Sequence, residues 1–272
     1  MSIKLSELIP VFDSLWPPAD ADEWDQVGLA SGLPDQEISK VLLCVDPTRS
    51  VLQEAKQNSC QLVLSHHPIL LEGVESVTER KMKEEILSYA TSNSIALFAA
   101  HTNADIVPGG VSDTLAKSIG LVDSTPLVET SKDSGHGRVG WLDSPMTVSD
   151  LAAKINDVIP ATSAPIRIAG DVNKKVSKVA LVAGSGGSFL PDAIAAGAEC
   201  FITSDLKHHV SLDAISDQSN EICLIDISHF AAESLWLEPA AAELRKSVPG
   251  IEFVVSELVT DPWAMSIPGK LS

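Results

Sequence analysis

The sequence predicts an α/β protein whose mostly parallel sheets are covered by helices. Short β-branched runs alternate with helical stretches, histidine-bearing polar clusters follow the strands at once, and a Ser-, Asp- and Thr-rich stretch splits the chain into two such halves. The chain has 272 residues, enough for one large domain or two small ones, and its 44% hydrophobic and 21% charged residues are the balance of a globular protein with its own core.

Taken in order, Leu5, Leu8, Ile9, Phe12 and Leu15 recur at helical spacing and predict an amphipathic helix ended by Pro17-Pro18. Val41 to Val45 is a strand ending at Asp46-Pro47, and Val51 to Gln57 a helix. Gln61 to Leu64 is a strand ended by Ser65-His66-His67-Pro68, and Glu79 to Ser92 a charged amphipathic helix. Ile95 to Ala100 is a strand ended by His101 to Asp105, where Thr102-Asn103 and Pro108-Gly109-Gly110 favour a loop, and Val111 to Ile119 is a helix closed by Gly120. Asp123 to Gly137 reads as a connector. A second α/β unit starts near Arg138, the sole cation of its loop and a candidate structural residue. It has a helix over Val148 to Val158 with Thr147 as N-cap, a strand over Val176 to Ala183 running into Gly184 to Ser188, and a helix over Asp192 to Ala198. Cys200 to Thr203 is a strand ended by Ser204 to His209. Glu221 to Ile225 is another, leading into a helix from His229 to about Lys246, and Ile251 to Val255 is a final strand.

Several function classes are disfavoured. Lys plus Arg is 19 against 37 Asp plus Glu, a net charge of −18 that repels phosphate backbones and anionic lipid. No nucleic-acid or membrane partner is expected, and an anionic substrate needs a locally positive site. Cys44, Cys60, Cys200 and Cys223 form no CxxC and lie in or beside apolar β-rich runs, as buried free thiols of a reducing compartment do. No apolar run approaches a membrane span, and Met1 to Trp16 lacks the basic and apolar regions of a leader. A soluble cytoplasmic protein is expected.

Six of the seven histidines (66, 67, 101, 208, 209 and 229) fall just past predicted strand ends, with His136 elsewhere. Ligands of open α/β sheets bind at the carboxyl ends of strands, so loops distant in sequence can converge along one sheet edge. Pro68 stops ladder pairing after His66-His67, which lets two neighbouring imidazoles reach two neighbouring ions. His229 and Glu233 are spaced i, i+4, as are His101 and Asp105, and on a helix that spacing shares one face. Imidazole plus carboxylate without thiolate favours Zn, Mn, Fe or Ni. So many donors suit two ions about 3.5–4 Å apart better than one. Two dications, the carboxylates of Asp105 and Glu233 and a bridging hydroxide sum to +1 inside a −18 protein, a field that can draw in a phosphate-bearing anion.

Trp24 to Leu29 (WDQVGL), Ser65 to Pro68 (SHHP), His101 to Asp105 (HTNAD) with Pro108-Gly109-Gly110, Thr203 to His209 (TSDLKHH) and His229 to Glu233 (HFAAE), in this order, resemble the Ngg-interacting-factor-three-like family of dinuclear metal-centre proteins, whose members carry the name GTP cyclohydrolase I type 2. The resemblance runs over nearly the whole chain. It implies His66, His67, Asp105, His229 and Glu233 as ligands of two divalent ions, with Glu233 as the bridge and His101 beside the site. It also implies two interleaved α/β lobes, 1–125 plus 226–272 carrying the ligands and 126–225 as the second, in a short form without the family's inserted domain. Finally, it implies a ring-shaped homohexamer. Ser204, His208, Ser228 and Gln26 depart from the family's usual Gly, Tyr, Gly and Asn. None of them removes a metal donor.

The catalytic candidates are His101, Lys207 and His209. Lys207, His208 and His209 either contact substrate phosphate and move protons or line the cavity as a polar loop. Gly184 to Ser188 is either a phosphate cradle or a tight turn, lacking a P-loop's Lys. Trp24 and Asp25 are either pocket wall or a buried turn. The expected function is a dinuclear metal-dependent hydrolase acting on a nucleotide or other small anion through a metal-bridging hydroxide. The alternative is a non-enzymatic, metal-containing oligomeric adaptor.

Overall fold

A computed structural model describes residues 1–74, 76–77, 81–217 and 221–267. The chain divides into two compact units, Met1–Ala104 with Leu237–Thr260, and Asp105–Trp236 with the chain from Asp261 on.

In the first unit β1 (Ile3–Lys4) leads into α1 (Leu5–Leu15), which buries Leu5, Leu8 and Phe12 as its period predicts. There follow β2 (Gly28–Ser31), β3 (Glu37–Ile38), β4 (Lys40–Cys44), α2 (Arg49–Gln57), β5 (Leu62–Ser65), α3 (Met82–Ser92) and β6 (Ala96–Ala99), after which α4 (Thr102–Ile106) begins in this unit and ends in the second. The second unit holds α5 (Val111–Ser118), β7 (Leu121–Thr125), β8 (Val128–Ser131), β9 (Ser134–His136), β10 (Arg138–Thr147), α6 (Val148–Val158), β11 (Arg167–Ala169) and β12 (Lys175–Leu181). It continues with α7 (Leu190–Ala195), β13 (Cys200–Thr203), α8 (His208–Ser216), β14 (Cys223–Asp226) and α9 (His229–Ser234). The chain then re-enters the first unit with α10 (Leu237–Ser247) and β15 (Glu252–Val255).

The first unit's sheet runs β15-β4-β5-β6-β2, parallel except at β2. Every residue of β5 and β6 is buried, which explains their continuous apolar runs: parallel strands covered on both faces have no solvent side. Val51, Leu52 and Ala55 of α2 and Ile86, Leu87 and Ala90 of α3 pack against Leu42, Val63 and Leu97. Burying each large side chain there contributes about 1.5–3 kcal/mol. The second unit's sheet runs β11-β14-β13-β12-β10-β7, with β12, β13 and β14 parallel and the outer strands antiparallel. Phe201 and Leu224 meet Leu190 and Ala193 of α7 beneath it. No helix among the described residues is long and apolar enough to cross a membrane. All four cysteines are free and buried.

Several expectations are corrected. The histidine clusters do not lie along one sheet edge: His66 and His101 follow strands of one sheet and His229 a strand of the other. Residues 105–125 and 226–236 belong with the second unit, because β7 pairs with β10 and α9 packs against α5. The expected lobe boundaries at 125 and 226 therefore move, and the ligands expected on one lobe are divided, Asp105, His229 and Glu233 lying in the second unit. The stretch read as a connector holds β7 and the β8–β9 hairpin. Thr102 to Ile106 is a helical turn rather than a loop, and the long helix expected from His229 is two, α9 and α10. The expected helix start at Glu79 lies outside the described residues.

Candidate metal centre

Because β4, β5 and β6 are adjacent and parallel, their carboxyl ends lie side by side. They deliver Asp46, His66-His67 and His101. Parallel pairing continues past β5, as the His66 N–H donates to the Cys44 carbonyl and the His67 N–H to the Val45 carbonyl, both at 2.9 Å. Ser65 Oγ donates to the His67 carbonyl at 2.8 Å and closes the turn before Pro68. The three rings converge, with centroids 5.1 Å apart for His66 and His67, 5.1 Å for His66 and His101, and 5.4 Å for His67 and His101. One ring nitrogen from each lies within 4.8 Å of the others, a grouping that can hold a metal ion.

Each ring is oriented through Nδ1. His66 Nδ1 donates to the Ala100 carbonyl at 2.9 Å, His67 Nδ1 to Asp46 at 2.7 Å and His101 Nδ1 to Asp25 at 2.9 Å. An acceptor that cannot donate fixes the tautomer, so the neutral ring carries its lone pair on Nε2, the arrangement of metal-binding histidines. Asp46 also accepts from Thr260 Oγ1 at 2.5 Å. Asp25, buried, accepts in addition from Thr102 N at 3.0 Å, Thr102 Oγ1 at 2.6 Å and Gln26 N at 2.7 Å. Burial alone would raise its pKa, but the bonds from His101 and Thr102 outweigh it and hold the carboxyl well below the ordinary range. Asp25 is thus the buried turn of the second reading, between the N-terminal helix and β2, and from there it aims His101, while Trp24 stands edge-on to that ring at 5.9 Å.

The second unit repeats the design. β12, β13 and β14 are adjacent and parallel, and their carboxyl ends lead to Gly184, Asp205 and His229. Ser228 caps α9, its Oγ accepting from Ala231 N at 3.1 Å, so this departure from the resembled Gly strengthens the helix start. One turn on, Glu233 places Oε1 2.8 Å from His229 Nε2, as the i, i+4 spacing predicts. His229 Nδ1 donates to Asp205 at 2.6 Å. Burial disfavours charge on His229, but Glu233 and Asp205 outweigh it and raise its pKa to about 11. Two acids around one imidazole make a place for positive charge, as a proton or as a metal that displaces it. The donor set and its anchoring therefore fit a divalent transition ion.

Asp105 sits on α4, half-buried. Arg138, buried, donates to the carbonyls of Gly135, Gly137 and Val107 at 2.8, 2.7 and 3.1 Å and to Asp113 at 3.3 Å, which establishes its structural reading. Lys207, His208 and His209 are exposed where α8 begins, and neither histidine joins a metal-capable group among the described residues. His208 instead lines a cleft with Arg167, Leu212, Ile215 and Asp226. The sequence reading did not single out Asp46 and Asp205 as ring anchors. The signal was present, since each follows a parallel strand as the histidines do.

Comparison with known proteins finds relatives over nearly the whole chain. A family model described as Duf34/NIF3 (NGG1p interacting factor 3) matches residues 3–262. The protein named GTP cyclohydrolase 1 type 2 homolog from Streptomyces coelicolor is 40% identical over 272 residues, covering 97% of this chain and 95% of that one. Its namesake from Clostridium perfringens is 32% identical, covering 96% and 99%. The crystal structure of a Staphylococcus aureus hypothetical protein superposes with a TM-score of 0.89 at 28% identity, covering 98% of this chain and all (100%) of that one.

Proposed function

The chain belongs to the Duf34/NIF3 family, and on that premise we propose that it is a metal-dependent hydrolase, GTP cyclohydrolase I type 2-like, acting on a nucleotide or other phosphate-bearing substrate. His66, His67, Asp105, His229 and Glu233 are its proposed ligands for two divalent ions of Zn, Mn, Fe or Ni. The observation that carries this reading is the common anchoring of His66, His67, His101 and His229 through Nδ1. Such ions, when bound, act as Lewis acids and lower the pKa of water. The chain supplies orientation: Asp46, Asp25 and Asp205 hold the rings, and the buried surroundings of His66 and Glu233 restrict water. His101, tied to Asp25, is the proposed proton carrier, and Lys207 and His209 are proposed to receive the anionic end of the substrate. By the same resemblance the protein self-associates as a ring-shaped homohexamer.

The test is metal analysis of the purified protein, then reconstitution with Mn, Zn, Fe or Ni and assay against GTP and a panel of phosphoesters, beside Glu233→Ala. Turnover that falls on the order of a hundredfold or more in the variant supports the hydrolase. A fully loaded protein that turns over none of these substrates favours the adaptor instead.

A further inference from the structure

We infer that Gly184 sets the clearance in which His229 and Glu233 take an ion, rather than cradling a phosphate. This rests on the proposed metal reading. Gly184 has φ +77°, and a Cβ built on it would lie 2.4 Å from Glu233 Oε1 and 3.3 Å from His229 Nε2. These are the two atoms proposed as ligands. Real Cβ atoms essentially never come within 3.0 Å of such an atom, so the backbone of residue 184 forms a wall that only glycine leaves open.

The loop cannot retreat to make room. The Gly184 carbonyl accepts from Thr203 Oγ1 at 2.9 Å and from Ser204 N at 2.9 Å. Thr203 Oγ1 accepts in turn from Gly186 N at 2.8 Å, and Ser112 Oγ accepts from Ala183 N at 3.2 Å. Thr203, Ser204 and Ser112 are all buried. Glu233, by contrast, offers the far end of a flexible side chain. An added methyl group therefore turns the carboxylate away rather than moving the loop. The fold survives, and the His229–Glu233 pair loses the alignment an ion requires.

Gly197 provides the matched control. Its φ is +72°, and a Cβ there meets nothing within 4 Å. Alanine at 184 and at 197 carries the same backbone strain and differs in what the methyl touches. The experiment compares wild type, Gly184→Ala and Gly197→Ala by equilibrium dialysis against Zn and Mn with elemental analysis, alongside the melting temperature of metal-stripped protein. The Gly184→Asn and Gly197→Asn pair covers the case in which alanine fails to fold, because Asn tolerates the left-handed region. The expected result is similar apo melting for the two positions. Both 184 variants take up one ion fewer than wild type, or hold it about tenfold or more weakly, while the 197 variants keep the full complement. A 184 variant with wild-type stoichiometry and affinity overturns the inference while the metal reading stands. A wild type that binds no ion overturns both.

Discussion

An imidazole held at Nδ1 has one nitrogen left to offer and one direction in which to offer it. Asp25, Asp46 and Asp205 set that direction for His101, His67 and His229. Asp205→Asn is expected to weaken metal uptake about 10–100-fold with an unchanged circular dichroism spectrum, measured by competition with a chromophoric chelator. The cysteines give a second residue-scale expectation. Burial pushes the Cys44 and Cys200 thiols well up, and raises Cys60 to about 11. None should react with a thiol reagent at pH 8 until denaturant is added; rapid labelling of the native protein would contradict this. The histidines were legible in the sequence because imidazole is uncommon and six of seven fall past strand ends. Which carboxylate anchors which ring was not. Acids are abundant here, and Asp25 meets His101 across 76 positions, a pairing that only the fold can make.

Elements were legible where burial imposes a pattern and illegible where it does not. β4, β5 and β6 are buried nearly throughout and read as continuous apolar runs. α8 was missed as a helix because it has no apolar stripe: Ala214 is its buried residue, while Leu212 and Ile215 are exposed. β10 contains Gly140 and Pro145 and an irregular register between Trp141 and Met146, so alternation fails along it. The cap of α6 was read correctly, with Thr147 Oγ1 accepting from Asp150 N at 3.1 Å. Thr147→Ala should cost about 1 kcal/mol in urea unfolding and leave metal stoichiometry unchanged. Asp113 ties α5 to β10. Burial opposes its charge, but bonds from Lys117 and Gly109 N and the field of Arg138 outweigh this and lower its pKa. A lowered folded pKa stabilises above the unfolded value, about 3.9, and that stabilisation fades as pH falls through the folded one. Asp113→Asn should therefore lose stability at neutral pH yet show a shallower further loss under acid, read from urea midpoints between pH 7 and 2.

For the molecule as a whole, the charge of −18 predicts that light scattering finds no salt-sensitive complex with DNA. The proposed ring predicts a particle of six times 28.8 kDa by the same method; a monomer would contradict it. Which strands share a sheet was the least legible feature, since β7 and β14 join their partners through pairing that no local pattern announces.

The return of the chain through β15 gives synthesis an order. β15 lies beside β4, with Glu252 opposite Lys40. Until a ribosome has translated past residue 255 and released that stretch from its exit tunnel, the nascent first unit has β4 as an open margin, a ready template for pairing with a neighbouring nascent chain. The sheet begun first is therefore completed last, and translation arrested before β15 should leave the first unit protease-sensitive and in need of a chaperone.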